Sequence, residues 1–334
     1  MLKKTIALLA LAGTTLALPA HADTAAAAQP ATVSRPAAAH AHTPLLTPAG
    51  LRPLLGQADV RVLDIRPPKD YAEGHIPGAI NTPYGAFRGP QSNAGQLVPE
   101  EKLTELLRRA GIDDSTHVVV VHGGATHTDF GAAARVYWTL KVGGLSRLSI
   151  LDGGTKLWAG SGGALDKAVP DVAPSAVAPS QFKYRYDQDQ IVSREELAGA
   201  IRSSSAPLLL DARPPRFFSG EVRVDAAARY GTLPGAQSFD NAQFFVKGGT
   251  TLKPAEELKA LAAQAGAATG PAVSFCNTGH WAATNWFVVS EIVGNDEVKL
   301  YPESMVGWSL SELPMANQPS RFTVLLQDLK RAFD

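Results

Sequence analysis

The sequence predicts an α/β protein with two similar domains, each a parallel sheet with helices on both faces. Two observations lead to this prediction: short apolar runs alternate with helical patterns, and three segments of the first half recur in the second. Alternating strands and helices are typical of parallel sheets, because a crossover helix returns the chain to the edge where the next strand begins. The 334 residues leave room for about two domains.

Four apolar runs predict buried strands, two in each half, at residues 60–63, 118–121, 208–210 and 272–275. Helical stretches are predicted on either side of the second strand in each half, at residues 100–109, 132–141, 255–264 and 282–292. Ser193 opens the sequence Ser-Arg-Glu-Glu, a capping box that predicts a helix start in the second half.

The repeat consists of three matching pairs of segments: 62–68 with 209–215, 76–79 with 233–236, and 150–158 with 300–308. The first pair aligns Asp64 and Arg66 with Asp211 and Arg213. The second copy carries ten extra residues between its first two segments. We therefore expect domains at residues 45–166 and 181–334, joined by an Ala/Pro/Ser-rich linker at residues 167–180.

The first residues predict export. Lys3 and Lys4 precede an apolar stretch at residues 5–18, and Ala20-His21-Ala22 forms a signal-peptide cleavage site. We expect a signal peptide over residues 1–22, cleavage after Ala22 and a disordered Ala/Pro-rich leader over residues 23–44. The product would then be a soluble periplasmic protein.

The composition excludes several classes of partner. Lys and Arg total 31, as do Asp and Glu, so no net field attracts nucleic acid or an acidic membrane surface. The histidines are scattered and there is a single cysteine, which predicts no metal site. No dinucleotide or phosphate-loop glycine pattern is present, so no cofactor is expected. Because the repeat provides an internal pseudo-dimer, we expect a monomer.

Cys276, the single cysteine, follows a predicted buried strand and precedes a predicted helix. Cys276 is therefore expected at the carboxyl end of a strand, which is where parallel sheets bind their ligands. Backbone N–H groups of the loop and the helix N-terminus favour a thiolate, which is the nucleophilic form of cysteine. The alternative is a buried structural cysteine.

Asp211-Ala212-Arg213, the Leu-Pro-Gly-Ala segment at residues 233–236 and the Cys276 loop together resemble the rhodanese family. The resemblance covers the chain from about residue 45 and is strongest to tandem thiosulfate and 3-mercaptopyruvate sulfurtransferases. In such proteins the second copy carries the cysteine and the first is usually inactive. Here the first copy has His122-Gly123-Gly124 at the corresponding place, which makes His122 a vestige or an interface residue.

The resemblance implies a two-step cycle without a cofactor. Cys276 would take sulfane sulfur from thiosulfate as a persulfide and pass it to cyanide, a thiol or a protein acceptor. Arg213 would bind the anionic donor or orient the loop, or else only pair with Asp211. The residues expected to bind the sulfur are Asn277, Thr278, Gly279, His280, Trp281 and Ala282.

Some roles stay open. The loop has neither the basic residues of many thiosulfate-type enzymes nor the Cys-Gly-Ser/Thr-Gly-Val-Thr pattern of many mercaptopyruvate-type enzymes. His280, titrating near neutrality, would supply positive charge or a hydrogen bond, and Trp281 would line the pocket or pack under the helix. Arg216 and the insert at residues 221–230 either border the site or are solvated.

Three other functions are alternatives to the hypothesis of a thiosulfate sulfurtransferase. The first is a 3-mercaptopyruvate sulfurtransferase, and the second is a non-enzymatic persulfide carrier that delivers sulfur to a protein. The third is a phosphatase of the Cys-x5-Arg type, which the sequence disfavours because the sixth residue after Cys276 is Ala282.

Overall fold

The computed structural model describes residues 43–167, 178–203 and 205–325. The predicted signal peptide, nearly all of the predicted leader and most of the predicted linker lie outside these residues. Within the described ranges, no helix has both the length and the apolar character needed to cross a membrane.

The first copy forms a five-stranded parallel sheet flanked by helices. Its strands are β1 (Leu45–Leu46), β2 (Val60–Asp64), β3 (Ile80–Asn81), β4 (His117–Val121) and β5 (Leu148–Leu151). Its α-helices are α1 (Pro48–Leu51), α2 (Pro68–Glu73), α3 (Glu100–Arg109), α4 (His127–Val142) and α5 (Gly154–Gly160). Short 3-10 turns lie at Arg52–Leu54, Tyr84–Phe87 and Gln91–Asn93.

The second copy forms a four-stranded parallel sheet. Its strands are β6 (Leu208–Asp211), β7 (Gln237–Ser238), β8 (Ala272–Phe275) and β9 (Val298–Leu300). Its α-helices are α6 (Arg194–Ile201), α7 (Pro215–Phe218), α8 (Ala255–Gln264), α9 (Trp281–Phe287) and α10 (Ser304–Ser309). A π-helical stretch, Val288–Val293, continues α9, and 3-10 turns lie at Gln188–Gln190 and Asn241–Phe244.

The two sheets share one topology. The strand order β5-β4-β2-β3 of the first sheet recurs as β9-β8-β6-β7 in the second. Leu45 of β1 pairs in parallel with Ile150, and Ile191 bridges Leu300 at the equivalent edge of the second sheet. The predicted fold class, two similar parallel-sheet domains with helices around them, is confirmed.

Local signals located most helices correctly. The predicted bounds of α3 and α8 agree with the structure, and Ser193 caps α6 by accepting the N–H of Glu196. Helix α4 begins five residues earlier than predicted, because Asp129 accepts the N–H of Ala125 and the hydroxyl of Thr126 and so caps an earlier start.

The two copies share a continuous core through α4 and α9. Phe287 of α9 meets Phe130 and Tyr137 of α4 edge-to-face, with ring centroids 5.5 and 5.1 Å apart. At the far end, Glu291 accepts the Tyr137 hydroxyl at 2.7 Å and pairs with Lys141 at 2.6 Å. The α4–α9 packing therefore fixes the second copy against the first.

The segment after the predicted linker packs on the first copy, although the prediction placed it in the second domain. Arg108 of α3 donates to the carbonyls of Phe182 and Gln181. The buried Tyr184 donates to the Thr139 carbonyl of α4 at 2.7 Å. These contacts extend the surface by which the two copies are joined.

Candidate active site

Cys276 lies at the carboxyl end of the inner strand β8, directly before the loop that leads into α9. Its side chain is buried, with 1% of the residue exposed. The Cys276 N–H donates to Ser304 Oγ at 3.0 Å, and its carbonyl accepts the N–H of Met305 at 3.0 Å. The start of α10 thus holds the cysteine backbone on both sides.

Ser304 joins the two ends of the loop. Its hydroxyl oxygen also accepts the Gly279 N–H at 3.0 Å, and the hydroxyl donates to the Tyr301 carbonyl at 2.9 Å. Ser304 has a φ of 52°, in the left-handed region that is unfavourable for residues other than glycine. No motif in the sequence selects this serine as functional, because its role depends on contacts that exist only in the folded loop.

The remaining amides of the loop have no protein acceptor. Among the described residues, no acceptor is found for the backbone N–H groups of Asn277, Thr278, His280, Trp281 and Ala282. Successive free N–H groups in a turn before a helix form an anion-binding nest. Gly279 differs from the other predicted sulfur-binding residues, because its N–H is already held by Ser304.

Residues of the first copy hold the outside of this loop. Arg88 Nη2 donates to the Thr278 carbonyl at 2.8 Å, and Arg135 Nη1 of α4 donates to the Gly279 carbonyl at 3.3 Å. Gly279 has a φ of 69°, and a Cβ there would lie 2.2 Å from Arg135 Nη1. A glycine is required at this position both for the turn and for the approach of the arginine.

His280 is fixed between two groups of the first copy. Its Nε2 lies 2.8 Å from the Thr128 carbonyl, which can only accept, so Nε2 carries the proton. Its Nδ1, 2.9 Å from the Tyr84 hydroxyl, is then the acceptor. Burial and the nearby Arg88 charge lower the pKa of His280 to about 4. The expectation that it titrates near neutrality and supplies charge is therefore corrected: His280 is neutral and bridges the copies by hydrogen bonds.

Arg213 forms a buried pair with Asp211. Its Nε and Nη2 donate to the two carboxylate oxygens at 2.8 and 2.6 Å, and Nη2 also donates to the Gly231 carbonyl. A long contact of 3.4 Å joins Nη1 to Asn277 Oδ1 in the loop. The first copy contains the same pair, Arg66 with Asp64. A pair found in both copies braces the sheet edge, and in the second copy it also orients Asn277.

The other candidates lie around the loop. The Trp281 indole donates to Thr128 Oγ1 at 3.3 Å and packs edge-to-face on Phe217. Arg216 is exposed and pairs with Glu221 at 2.9 Å. In the insert, Arg229 donates to four carbonyls around the end of α10, those of Trp308, Ser309, Ser311 and Leu313. The insert is thus tied to α10.

The equivalent loop of the first copy carries no nucleophile. His122 is buried against the edge of the Phe130 ring, and burial lowers its pKa to about 4. A Cβ on Gly124 would lie 2.0 Å from the Gly153 carbonyl, so the loop is closed against the start of α5. No group of three or more His, Cys, Asp or Glu side chains in the described part of the chain could hold a metal ion.

Comparison with known proteins agrees with the fold. A model of the rhodanese-like domain matches residues 47–161. A provisionally named thiosulfate sulfurtransferase of Synechococcus elongatus is 31% identical over 85% of this chain and 88% of its own length. The sulfur carrier protein TtuD of Thermus thermophilus is 28% identical over 74% of this chain and 86% of its own. SseA of Escherichia coli, described as a 3-mercaptopyruvate sulfotransferase, superimposes with a TM-score of 0.66 at 22% identity, over 78% of this chain and 98% of its own.

These likenesses define the class as a tandem α/β protein built from two rhodanese-like domains. The chain belongs to the rhodanese family of sulfurtransferases.

The role of Ser304 predicts a specific loss of stability. Ser304→Ala leaves the buried N–H groups of Cys276 and Gly279 without an acceptor, which should lower the free energy of unfolding by about 2–4 kcal/mol. Ser304→Gly loses the same hydroxyl but relieves the positive φ, so it should be about 1 kcal/mol more stable than the alanine variant. Denaturant unfolding of the three proteins tests this, and wild-type stability of Ser304→Ala would refute it.

The neutral state of His280 predicts a pH dependence. The lowered native pKa means that, as pH falls below about 6.5, the unfolded chain takes up a proton that the native His280 refuses. Native stability from this residue is therefore lost between pH 6.5 and about 4. His280→Gln, which has no such proton, should show a shallower decline of unfolding free energy over this window than wild type. Parallel declines in the two proteins would contradict the assignment.

Proposed function

We propose that the chain is a thiosulfate sulfurtransferase in which Cys276 carries the sulfur as a persulfide. One observation carries the proposal: a cysteine at the end of an inner strand, followed by a loop with five N–H groups that find no acceptor among the described residues. A structural cysteine has no use for such a nest, whereas an anionic sulfur does.

The proposed first step forms one bond and breaks another. The Cys276 thiolate attacks the outer sulfur of thiosulfate, the S–S bond of the donor breaks, and sulfite leaves with the bonding electrons. The terminal sulfur of the persulfide then bears the negative charge that the free N–H groups can stabilise. In the second step, cyanide attacks this sulfur, thiocyanate leaves and the thiolate is restored.

The side chains around the Cys276 thiol control whether a sulfur donor can reach it. Cys276 is 1% exposed, while Thr278 and Trp281 beside it are partly exposed. A donor can therefore reach the sulfur when these flanking side chains move aside. Thiosulfate, a small donor, demands less movement than a protein substrate would.

A second candidate is a carrier that passes the persulfide to a protein. The likeness to the Thermus thermophilus protein named as a sulfur carrier favours it. Both candidates need Cys276 and the same loop, and they differ in turnover with small acceptors. A 3-mercaptopyruvate donor remains a further alternative within the same chemistry.

The main experiment compares wild type with Cys276→Ser, both beginning at Asp23. We expect thiosulfate-dependent formation of thiocyanate from cyanide, lost in the variant, and the added mass of one sulfur atom on wild type after thiosulfate alone. Loading without turnover would favour the carrier, and loading from mercaptopyruvate alone would change the donor. No loading from any donor would refute the sulfurtransferase proposal.

We also propose that the chain is exported and works as a monomer, with cleavage after Ala22. Expression of the full chain in a bacterium, followed by intact mass measurement of the periplasmic fraction, should give a protein that begins at Asp23. Recovery of the uncleaved chain from the cytoplasm would refute the export proposal.

A further inference from the structure

The sulfur-binding loop contains no positive charge of its own. From Cys276 to Ala282 there is neither lysine nor arginine, and His280 is neutral because its pKa lies at about 4. Arg213, in the same domain, is neutralised by its two-point contact with Asp211. A dianion such as thiosulfate would therefore find no unpaired cation among these residues of the second domain.

Two arginines of the first domain contact the loop without an ion pair. Arg135 is 1% exposed and donates to the carbonyls of Gly279 and Gly95. Arg88 donates to the Thr278 carbonyl and lies over the Tyr84 ring, with its Cζ 5.2 Å from the centroid. Within the described residues, neither guanidinium lies within ion-pair distance of a carboxylate.

Each of these arginines also keeps an unused donor. Arg135 Nε and Arg88 Nη1 are buried and have no hydrogen-bond partner in the described structure. A buried donor without an acceptor is unfavourable, and so is a buried guanidinium without an anion, as at Arg135, unless a ligand completes them. The pKa of Arg135 shows this cost, since burial first and then the Arg88 charge lower it to about 10, while a Cys276 thiolate acts in the opposite direction.

Arg135 also orients one of the free amides of the loop. In a peptide unit, the C=O and N–H groups point in opposite directions. The unit between Gly279 and His280 directs its carbonyl to Arg135, so the His280 N–H, which has no acceptor within the described residues, points away from Arg135. A charged donor on the carbonyl also polarises the amide and strengthens its N–H as a donor.

We propose that the first domain, which has no nucleophile, provides the positive charge of the sulfur site through Arg88 and Arg135. Both arginines position the loop backbone, Arg135 through the peptide unit that carries the His280 N–H, and their charge favours a dianionic sulfur donor over a donor of lower charge. This inference rests on the proposed sulfurtransferase function, and it assigns the donor class to small dianions such as thiosulfate.

Donors of different charge separate this role from a purely structural one. Thiosulfate carries two negative charges and benzenethiosulfonate carries one. With either, the thiolate takes the outer sulfur while the S–S bond breaks, and sulfite or benzenesulfinate leaves with the electrons. A structural defect lowers kcat/KM for both donors equally, whereas loss of positive charge penalises thiosulfate more.

The variants are Arg88→Met, Arg135→Met and the charge-retaining Arg88→Lys and Arg135→Lys, all in the full chain. Each Met variant should lose about 10–100-fold in kcat/KM with thiosulfate, mainly through KM, and several-fold less with benzenethiosulfonate. The Lys variants should keep the preference for thiosulfate. Arg108→Met is the matched control, because Arg108 also donates to carbonyls, but to those of Gln181 and Phe182 outside the loop.

A second readout does not depend on sulfurtransfer. The ratio of Cys276 alkylation rates by iodoacetate, an anion, and iodoacetamide, which is neutral, reports the local positive charge. This ratio should fall in both Met variants and stay at the wild-type value in Arg108→Met.

The outcomes distinguish the inference from the proposed function. Wild-type donor preference and alkylation ratio in both Met variants would overturn the inference, even in an active enzyme. An inactive wild type that no donor loads would remove the proposed function, while a lowered alkylation ratio in the Met variants would still support the charge assignment. Equal losses of kcat/KM with both donors, together with an unchanged alkylation ratio, would show that the arginines have only a structural role.

Discussion

The packing of α4 against α9 is the constraint on which the site depends. Helix α9 begins where the Cys276 loop ends, so whatever fixes α9 also fixes the loop. Phe130 and Tyr137 hold Phe287 from one side, and Gly131 allows His280 to approach, since a Cβ at Gly131 would lie 3.0 Å from the His280 ring. The same register of α4 brings Arg135 to the Gly279 carbonyl.

The two copies share one fold but have diverged at the carboxyl edge of the sheet, where the Cys276 loop lies in the second copy. Both retain the buried Asp-x-Arg pair, which satisfies a carboxylate at the end of an inner strand. In the repeat alignment Ser304 corresponds to Gly154, and the two residues have similar positive φ values of 52° and 58°. In the second copy a non-glycine residue, Ser304, adopts this unfavourable backbone conformation, and its hydroxyl closes the Cys276 loop.

Local signals were sufficient to predict the fold and the position of Cys276. The strand-like runs and the Asp-x-Arg motif are contiguous in sequence, and the repeat is visible when the two halves of the chain are aligned. Arg88 and Arg135 could not be found in this way, because they lie 190 and 144 residues from the carbonyls they bind. The neutral state of His280 was missed for the same reason: its partners, Tyr84 and Thr128, come from the other copy. For Ser304 there was one signal in the sequence: in the repeat alignment a serine stands opposite Gly154.

On the proposed division of labour between the copies, the loop needs no basic residue of its own. Arg88 and Arg135 supply the charge from the first copy, and they reach the loop only in the folded two-domain arrangement. Their charges are uncompensated by any carboxylate in the described structure, which is unfavourable for the empty protein and favourable once a sulfur anion is present. On this proposal the domain without a cysteine is necessary for the chemistry, because it holds the loop of the other domain and supplies its positive charge.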